Sequence, residues 1–225
     1  MKKIYYITAV FATLFLVGCG DGIDLPGVNV ETDLNKIPLP DNNVNLEQVE
    51  LKPSTEPMLH EGLHTEEDFQ RIRDKKAAGE EPWVSAYQLL VESQFSQKTA
   101  DTYPTEWIKR GISGDENYMN AARGATIVYQ QALRWKIEQD DEYAAKAVEN
   151  LNKWVQTCVG VTGNTNLSLA AGLYGYEFAI AGELLRDYGG WDRADFAAFQ
   201  NWLLKVFYPA NDDFLKRHHD TNALH

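Results

Sequence analysis

Basic residues are scarce in this sequence. Its 21 Lys and Arg stand against 33 Asp and Glu, for a net charge of −12. A phosphate backbone demands clustered cations, so this balance excludes nonspecific nucleic-acid binding. The one short basic run, Lys216-Arg217-His218-His219, reads as a solvated surface segment. Cysteine is scarcer still, with two in 225 residues. That excludes a disulfide framework, and no Cys/His spacing resembles a structural zinc site. Cys158, set among Trp154, Val155 and Val159, reads as a buried, inert thiol. Also lacking are a tetratricopeptide-type repeat, a strand pair worth defending, and an apolar run long enough to span a bilayer comfortably.

What is present begins with an address. Lys2-Lys3 precede an apolar stretch, residues 4–17, that closes in Leu16-Val17-Gly18-Cys19. This resembles the bacterial lipobox, in which the peptide is cut before the cysteine and the cysteine carries lipid. The resemblance implies a signal peptide over 1–18, lipidation at Cys19, and an envelope location facing periplasm or cell surface. Removing residues 1–18 takes away Lys2 and Lys3 but no acid, so the charge moves from −12 to −14. Asp21, just past the cysteine, resembles the surface-export signals of some bacterial lipoproteins. Residues 19–57 carry Pro26, Pro38, Pro40, Pro53 and Pro57 among many Asn and Asp, without helical period. That composition predicts a disordered tether holding the folded part off the membrane.

From about residue 58 the pattern turns helical. Thr65-Glu66-Glu67-Asp68 has the form of a capping box, and Gly79 suits a stop. Pro82 opens a second helix through Trp83, Tyr87 and Leu90. A third is expected from about Asp115 to Ile137, with apolar residues around more than one stripe. Asp140-Asp141 start a fourth; a Gly/Thr/Asn loop over 160–166 leads to a fifth, 167–188, rich in small residues. Asp192 caps a sixth that Pro209 ends. The expected class is all-α, and the alternation of small-residue and amphipathic helices fits a partial (α/α) toroid built from helical hairpins.

The chain's polar punctuation marks candidate sites. Three of its five histidines fall in His218-His219-Asp220-Thr221-Asn222-Ala223-Leu224-His225. A cluster of titratable and amide side chains at a loop-to-helix junction is where an active site is expected. Tyr174 and Tyr176 offer rings for stacking on sugars, and Asn117 with Tyr118 opens the third helix. His219 is a further polar contact to a substrate. Asp220 and its neighbouring histidines are too local a set to argue for a metal.

Several ordered segments carry a family resemblance: His60-Glu61-Gly62-Leu63-His64-Thr65, Ala78-Gly79-Glu80-Glu81-Pro82-Trp83, Ala121-Ala122-Arg123-Gly124-Ala125, and Ala132-Leu133-Arg134-Trp135. Tyr143-Ala144-Ala145-Lys146-Ala147 with Leu151-Asn152-Lys153-Trp154, and residues 179–186 with Trp191, continue the series. Together they resemble bacterial alginate-lyase-like polysaccharide lyases over residues 58–225. The resemblance implies an incomplete α/α toroid and β-elimination of uronate polysaccharides, with no cofactor and no required metal. The family's Asn and His match Asn222 and His225, which are two residues further apart than the adjacent pair of the best-known members. The family's later Tyr and Arg find no match before residue 225, so the reading expects a domain truncated at its C-terminus, either a uronate polysaccharide lyase or an inactive N-terminal fragment of one. A non-catalytic surface glycan-binding lipoprotein is the alternative. A glycoside hydrolase on a similar scaffold would need two carboxylates flanking a bond, and no such acidic pair stands out.

The lipobox reading makes a direct prediction. In a bacterial host supplied with radiolabelled palmitate, the wild-type chain takes up label and pellets with membranes. Cys19→Ser takes up none and is found in the soluble fraction.

Overall fold

A computed structural model describes residues 63–218, all within the unit Leu46–His225. The signal peptide, Cys19, the tether, His219, Asn222 and His225 lie outside the described residues. The elements in order are α1 (Glu66–Ala77), α2 (Trp83–Glu92), a 3-10 turn (Gln94–Ser96), β1 (Trp107–Arg110), α3 (Tyr118–Glu138), α4 (Asp141–Thr157), β2 (Gly160–Gly163), α5 (Asn166–Leu185), α6 (Arg193–Val206) and α7 (Tyr208–His218).

Local chemistry sets most of these boundaries. The capping box forms: Thr65 Oγ1 accepts from the Asp68 amide at 3.2 Å, and Asp68 Oδ2 accepts from the Thr65 amide at 3.0 Å. The bond from the Thr65 amide, together with one donated by the Thr65 hydroxyl at 2.9 Å, holds the Asp68 carboxyl below its ordinary range. Asp140 and Asp192 cap α4 and α6 by accepting from the amides two residues on, at 3.0 and 2.7 Å. α6 ends at Val206, ahead of Pro209 as the sequence suggested, but Pro209 itself belongs to a further helix. It falls in the first turn of α7, where its missing N–H has no intrahelical partner to lose.

α3 is the axis of the packing. Residues on most of its circumference are buried, from Ala121 and Ala125 to Ile127, Val128 and Ala132. It lies against α1, α4, α5, β1 and the 3-10 turn, while α6 lies against α4, α5 and α7. The helices therefore stack as hairpins, α3 with α4 and α5 with α6. Small residues permit the close approaches; a Cβ at Gly182 would stand 2.2 Å from the ring of Phe199. A connected aromatic series of Trp154, Phe178, Trp202, Phe207 and Phe199 fills the space between the hairpins, with ring centroids 5.0–6.2 Å apart. Cys158 is buried beside it, and burial pushes its thiol up to about 11, which suits the inert role read from the sequence.

A strand pair corrects the sequence reading, which expected none. β1 and β2 run parallel, with Trp107 opposite Gly160 and Arg110 opposite Gly163. Four residues per strand are too few to show a period-2 pattern, and their partner lies some fifty residues away. Glycine makes the pairing possible. Gly111 leaves β1 at φ +80°, where a Cβ would meet the Asn164 side chain at 1.9 Å. Gly163 is at φ +149°, with the Arg110 carbonyl 1.7 Å from its would-be Cβ.

The loop ahead of β1 is anchored by buried amides. Asn150 Oδ1 accepts from the Thr102 amide at 3.2 Å, and its Nδ2 donates to the Ala100 carbonyl and to Gln131 Oε1. Gln131 Nε2 donates to the carbonyls of Gln97 and Ala100. Both amides are fully buried, so each bond is costly to lose. Asn150→Ala should cost about 3 kcal/mol by removing three buried hydrogen bonds and leaving Gln131 Oε1 without a donor. In thermal unfolding that is a fall in Tm of roughly 6–12 °C for a domain of this size.

Candidate functional site

The start of α3 and the strand pair together place a guanidinium. Asn117 stands at the first position before α3 but does not cap it. Its Oδ1 instead accepts from the Lys109 amide at 2.7 Å, and its Nδ2 donates to the Trp107 carbonyl at 2.9 Å. The amide that the sequence nominated for substrate is thus committed to β1, and it fixes the strand against the helix. The last residue of that strand is Arg110. Its Nη1 donates to the Tyr174 hydroxyl at 3.0 Å, and its Cζ lies 4.6 Å from the Tyr118 ring centre and 6.0 Å from that of Tyr174. The two rings are parallel within 7°, with centroids 6.4 Å apart.

Arg110 has no carboxylate partner among the described residues. A guanidinium carries five N–H donors in a planar fork that matches a carboxylate. Here the aromatic faces and one hydroxyl orient it while leaving donors for an incoming anion. Tyr174 is buried, and burial raises its hydroxyl above the ordinary phenol value despite Arg110, so it stays protonated at neutral pH. Its ring packs on Tyr118 and is not presented for stacking on a sugar. Tyr176 is different. It is 58% exposed, on a stripe of α5 with the exposed Leu169 and Leu173, and does not join the Arg110 cluster.

About 16 Å further along α3, counted at 1.5 Å per residue, a second titratable group lies against the start of α1. His64 Nε2 and the Tyr129 hydroxyl are 2.6 Å apart, and their rings stack at 5.9 Å. Burial lowers His64, against the opposing charge of Asp68, which favours the neutral imidazole beside the Tyr129 hydroxyl. Burial and the nearby Glu177 push Tyr129 up to about 12. Glu177 itself is raised by burial, with a Thr126 hydrogen bond working the other way. In the sequence His64 stands only as one residue of a motif, without a role; its 65-residue separation from Tyr129 leaves no local signal. Arg110 escapes sequence reasoning for the same reason, because neither ring that orients it is adjacent in sequence.

Arg134, another residue of the motif series, is structural. It is buried and donates to Glu138, to Tyr143 and, at 3.2 Å, to Ser96 Oγ. Glu138 also accepts from the Tyr87 hydroxyl at 2.8 Å, which locks α2 to the end of α3. Among the described residues no group of three or more His, Cys, Asp or Glu is placed to hold a metal ion. None of the described helices is long and apolar enough to cross a membrane.

Stacked helical hairpins with a guanidinium held between two tyrosines at the head of α3 define a helical protein with a cation placed at one end of its central helix. The comparison with known families is specific about which: a family model described as alginate lyase matches residues 72–222, two thirds of the chain. The chain belongs to the alginate lyase family. Nothing among curated proteins or solved structures matches it.

The His64–Tyr129 pair gives a pH-dependent prediction. Because the folded state disfavours imidazolium, the unfolded chain takes up a proton first as pH falls through 6.5, and stability is lost in that direction. His64→Gln removes this loss along with about 1 kcal/mol of hydrogen bonding. Wild type should therefore melt roughly 2–4 °C above the variant at pH 8. The gap should narrow steadily as the pH is lowered to about 5.5.

Proposed function

We propose that this protein acts in β-elimination of a uronate-containing, alginate-like polysaccharide, on a lipid-anchored partial α/α toroid whose working end is the head of α3. Family membership supplies the reaction class. The observation that carries the substrate class is the Arg110 guanidinium, which has no carboxylate partner among the described residues and is held by Tyr118 and Tyr174.

The chemistry accounts for the residue types. The proton to be removed sits on C5 of the uronate, beside a carboxylate, and is weakly acidic. Pairing that carboxylate with a cation or amide stabilises the enolate-like charge that grows as the proton leaves. Arg110 supplies such a cation, and Asn222 an amide donor. A base near neutral pH, assigned here to His225, takes the C5 proton. The electron pair left behind forms the C4–C5 double bond and the C4–O glycosidic bond breaks. The leaving oxygen then takes a proton from an acid. The balance needs no oxidant and no cofactor. Tyr174 holds Arg110 in place. Tyr176 and His219 are proposed as contacts to neighbouring sugars.

The test is an elimination assay on alginate and other uronates with the full chain, read as the ultraviolet absorbance of the unsaturated product. The full-length protein should generate product from at least one uronate, whereas a protein ending at His225 should generate none. Arg110→Ala should lower kcat/KM by about 30-fold or more, the scale of removing one charge-assisted hydrogen bond from the transition state. Arg110→Lys should recover part of that deficit. Absence of product from every uronate overturns the lyase reading; glycan affinity persisting without turnover points to a binding lipoprotein instead.

A further inference from the structure

We infer that the protein carries a second acidic-sugar site, on the face of α3 turned away from Arg110. The inference rests on the uronate reading for the identity of the sugar, and on separate residues for the site itself. A groove of about 240 Å³ lies between α3 and the loop 94–103. Asn120, Arg123 and Ile127 line it from the helix, and Gln94, Phe95 and Tyr103 from the loop. At 100° per residue, Asn120 and Arg123 sit about 140–160° around the helix from Tyr118. The groove is therefore a different surface from the one that holds Arg110.

Its chemistry is that of a sugar subsite. Arg123 is exposed and has neither an ion pair nor a hydrogen bond among the described residues. The carboxylate that would be expected to neutralise it, Asp101, lies in the same groove but is already taken. Asp101 Oδ1 accepts from Lys153 Nζ at 2.5 Å and from Lys146 Nζ at 3.5 Å, and the Lys153 bond holds its carboxyl below the ordinary range. The two lysines thus cancel the acid and leave Arg123 to a ligand. Asn120 and Gln94 present amides that both donate and accept, as sugar hydroxyls require. Tyr103 is 75% exposed, a ring free to stack on a pyranose. Phe95 and Ile127 supply the apolar wall. The volume falls below the roughly 300–1,000 Å³ of sites for drug-sized ligands, which suits a single sugar unit of a longer chain.

The groove is also preorganised. Its loop wall is the segment pinned by the buried amides of Asn150 and Gln131, and by Trp154 Nε1, which donates to Thr102 Oγ1 at 2.5 Å. A wall fixed before binding costs little to order, so a few contacts suffice for measurable affinity. Such a site would keep a polymeric uronate on the protein apart from the residues that transform it.

The test uses the full chain carrying Arg110→Ala, so that the first guanidinium no longer captures a carboxylate. Calorimetric titration with a mannuronate trisaccharide should still show binding, and the neutral mannose trisaccharide should bind far more weakly. Adding Arg123→Ala should weaken mannuronate binding about tenfold or more, and adding Tyr103→Ala several-fold. Both side chains are exposed, so unchanged melting temperatures will show that the fold is intact. The inference is overturned if Arg110→Ala alone abolishes uronate binding, or if Arg123→Ala leaves the Kd unchanged; either result leaves the lyase reading standing. Arg123-dependent binding without turnover by wild type supports the second site while removing the lyase reading.

Discussion

A helix contacted on most of its circumference has no neutral face, and α3 is in that position. Each polar residue it carries must be matched by a partner from some other element or be aimed at solvent or a ligand. Gln131 meets this demand by holding the loop 97–102, and Arg134 by binding Ser96, Tyr143 and Glu138. Tyr129 does so against His64. The candidate sites arise where the demand is left open, at Arg110 beside the head of α3 and at Arg123 on its far side. The same burial that stabilises the hairpins thus decides which charged groups are spoken for.

The two surfaces have different supports. Arg110 is oriented by the strand pair, whose close approach depends on Gly111 and Gly163, and by the Asn117 amide that ties strand to helix. Arg123 needs no such device, because the helix itself presents it and the loop opposite is fixed by buried amides. In each case a cation in an acidic protein has no carboxylate partner among the described residues. With a net charge of −12, counter-charges are plentiful, so an unpaired guanidinium has to be arranged by geometry.

How much was legible in the sequence follows the range of the interactions involved. Caps at Thr65, Asp140 and Asp192 are local, and they fall where the side chains indicated. The breadth of the apolar pattern on α3 was likewise visible, because it is a property of one segment. The strand pair was not, since four residues show no period and their pairing spans some fifty positions. Pro209 marked the end of α6 correctly but hid the start of α7, because proline is as much at home just inside a helix start as beyond a helix end. Of the nominated site residues, Tyr174 falls in the Arg110 cluster as a positioning group and Asn117 beside it as a strap. Tyr176 stands apart on an exposed stripe. Asn222, His225, His219 and Cys19 remain proposals from sequence.

The sequence by itself determined the helical class, the caps, the shortage of cations and the family, because each is written in composition or in short-range pattern. Only the tertiary structure decided which cations lack a carboxylate partner among the described residues. Whether a guanidinium is paired depends on side chains tens of residues away, and no local pattern records that Arg110 meets two tyrosines while Asp101 is taken by two lysines.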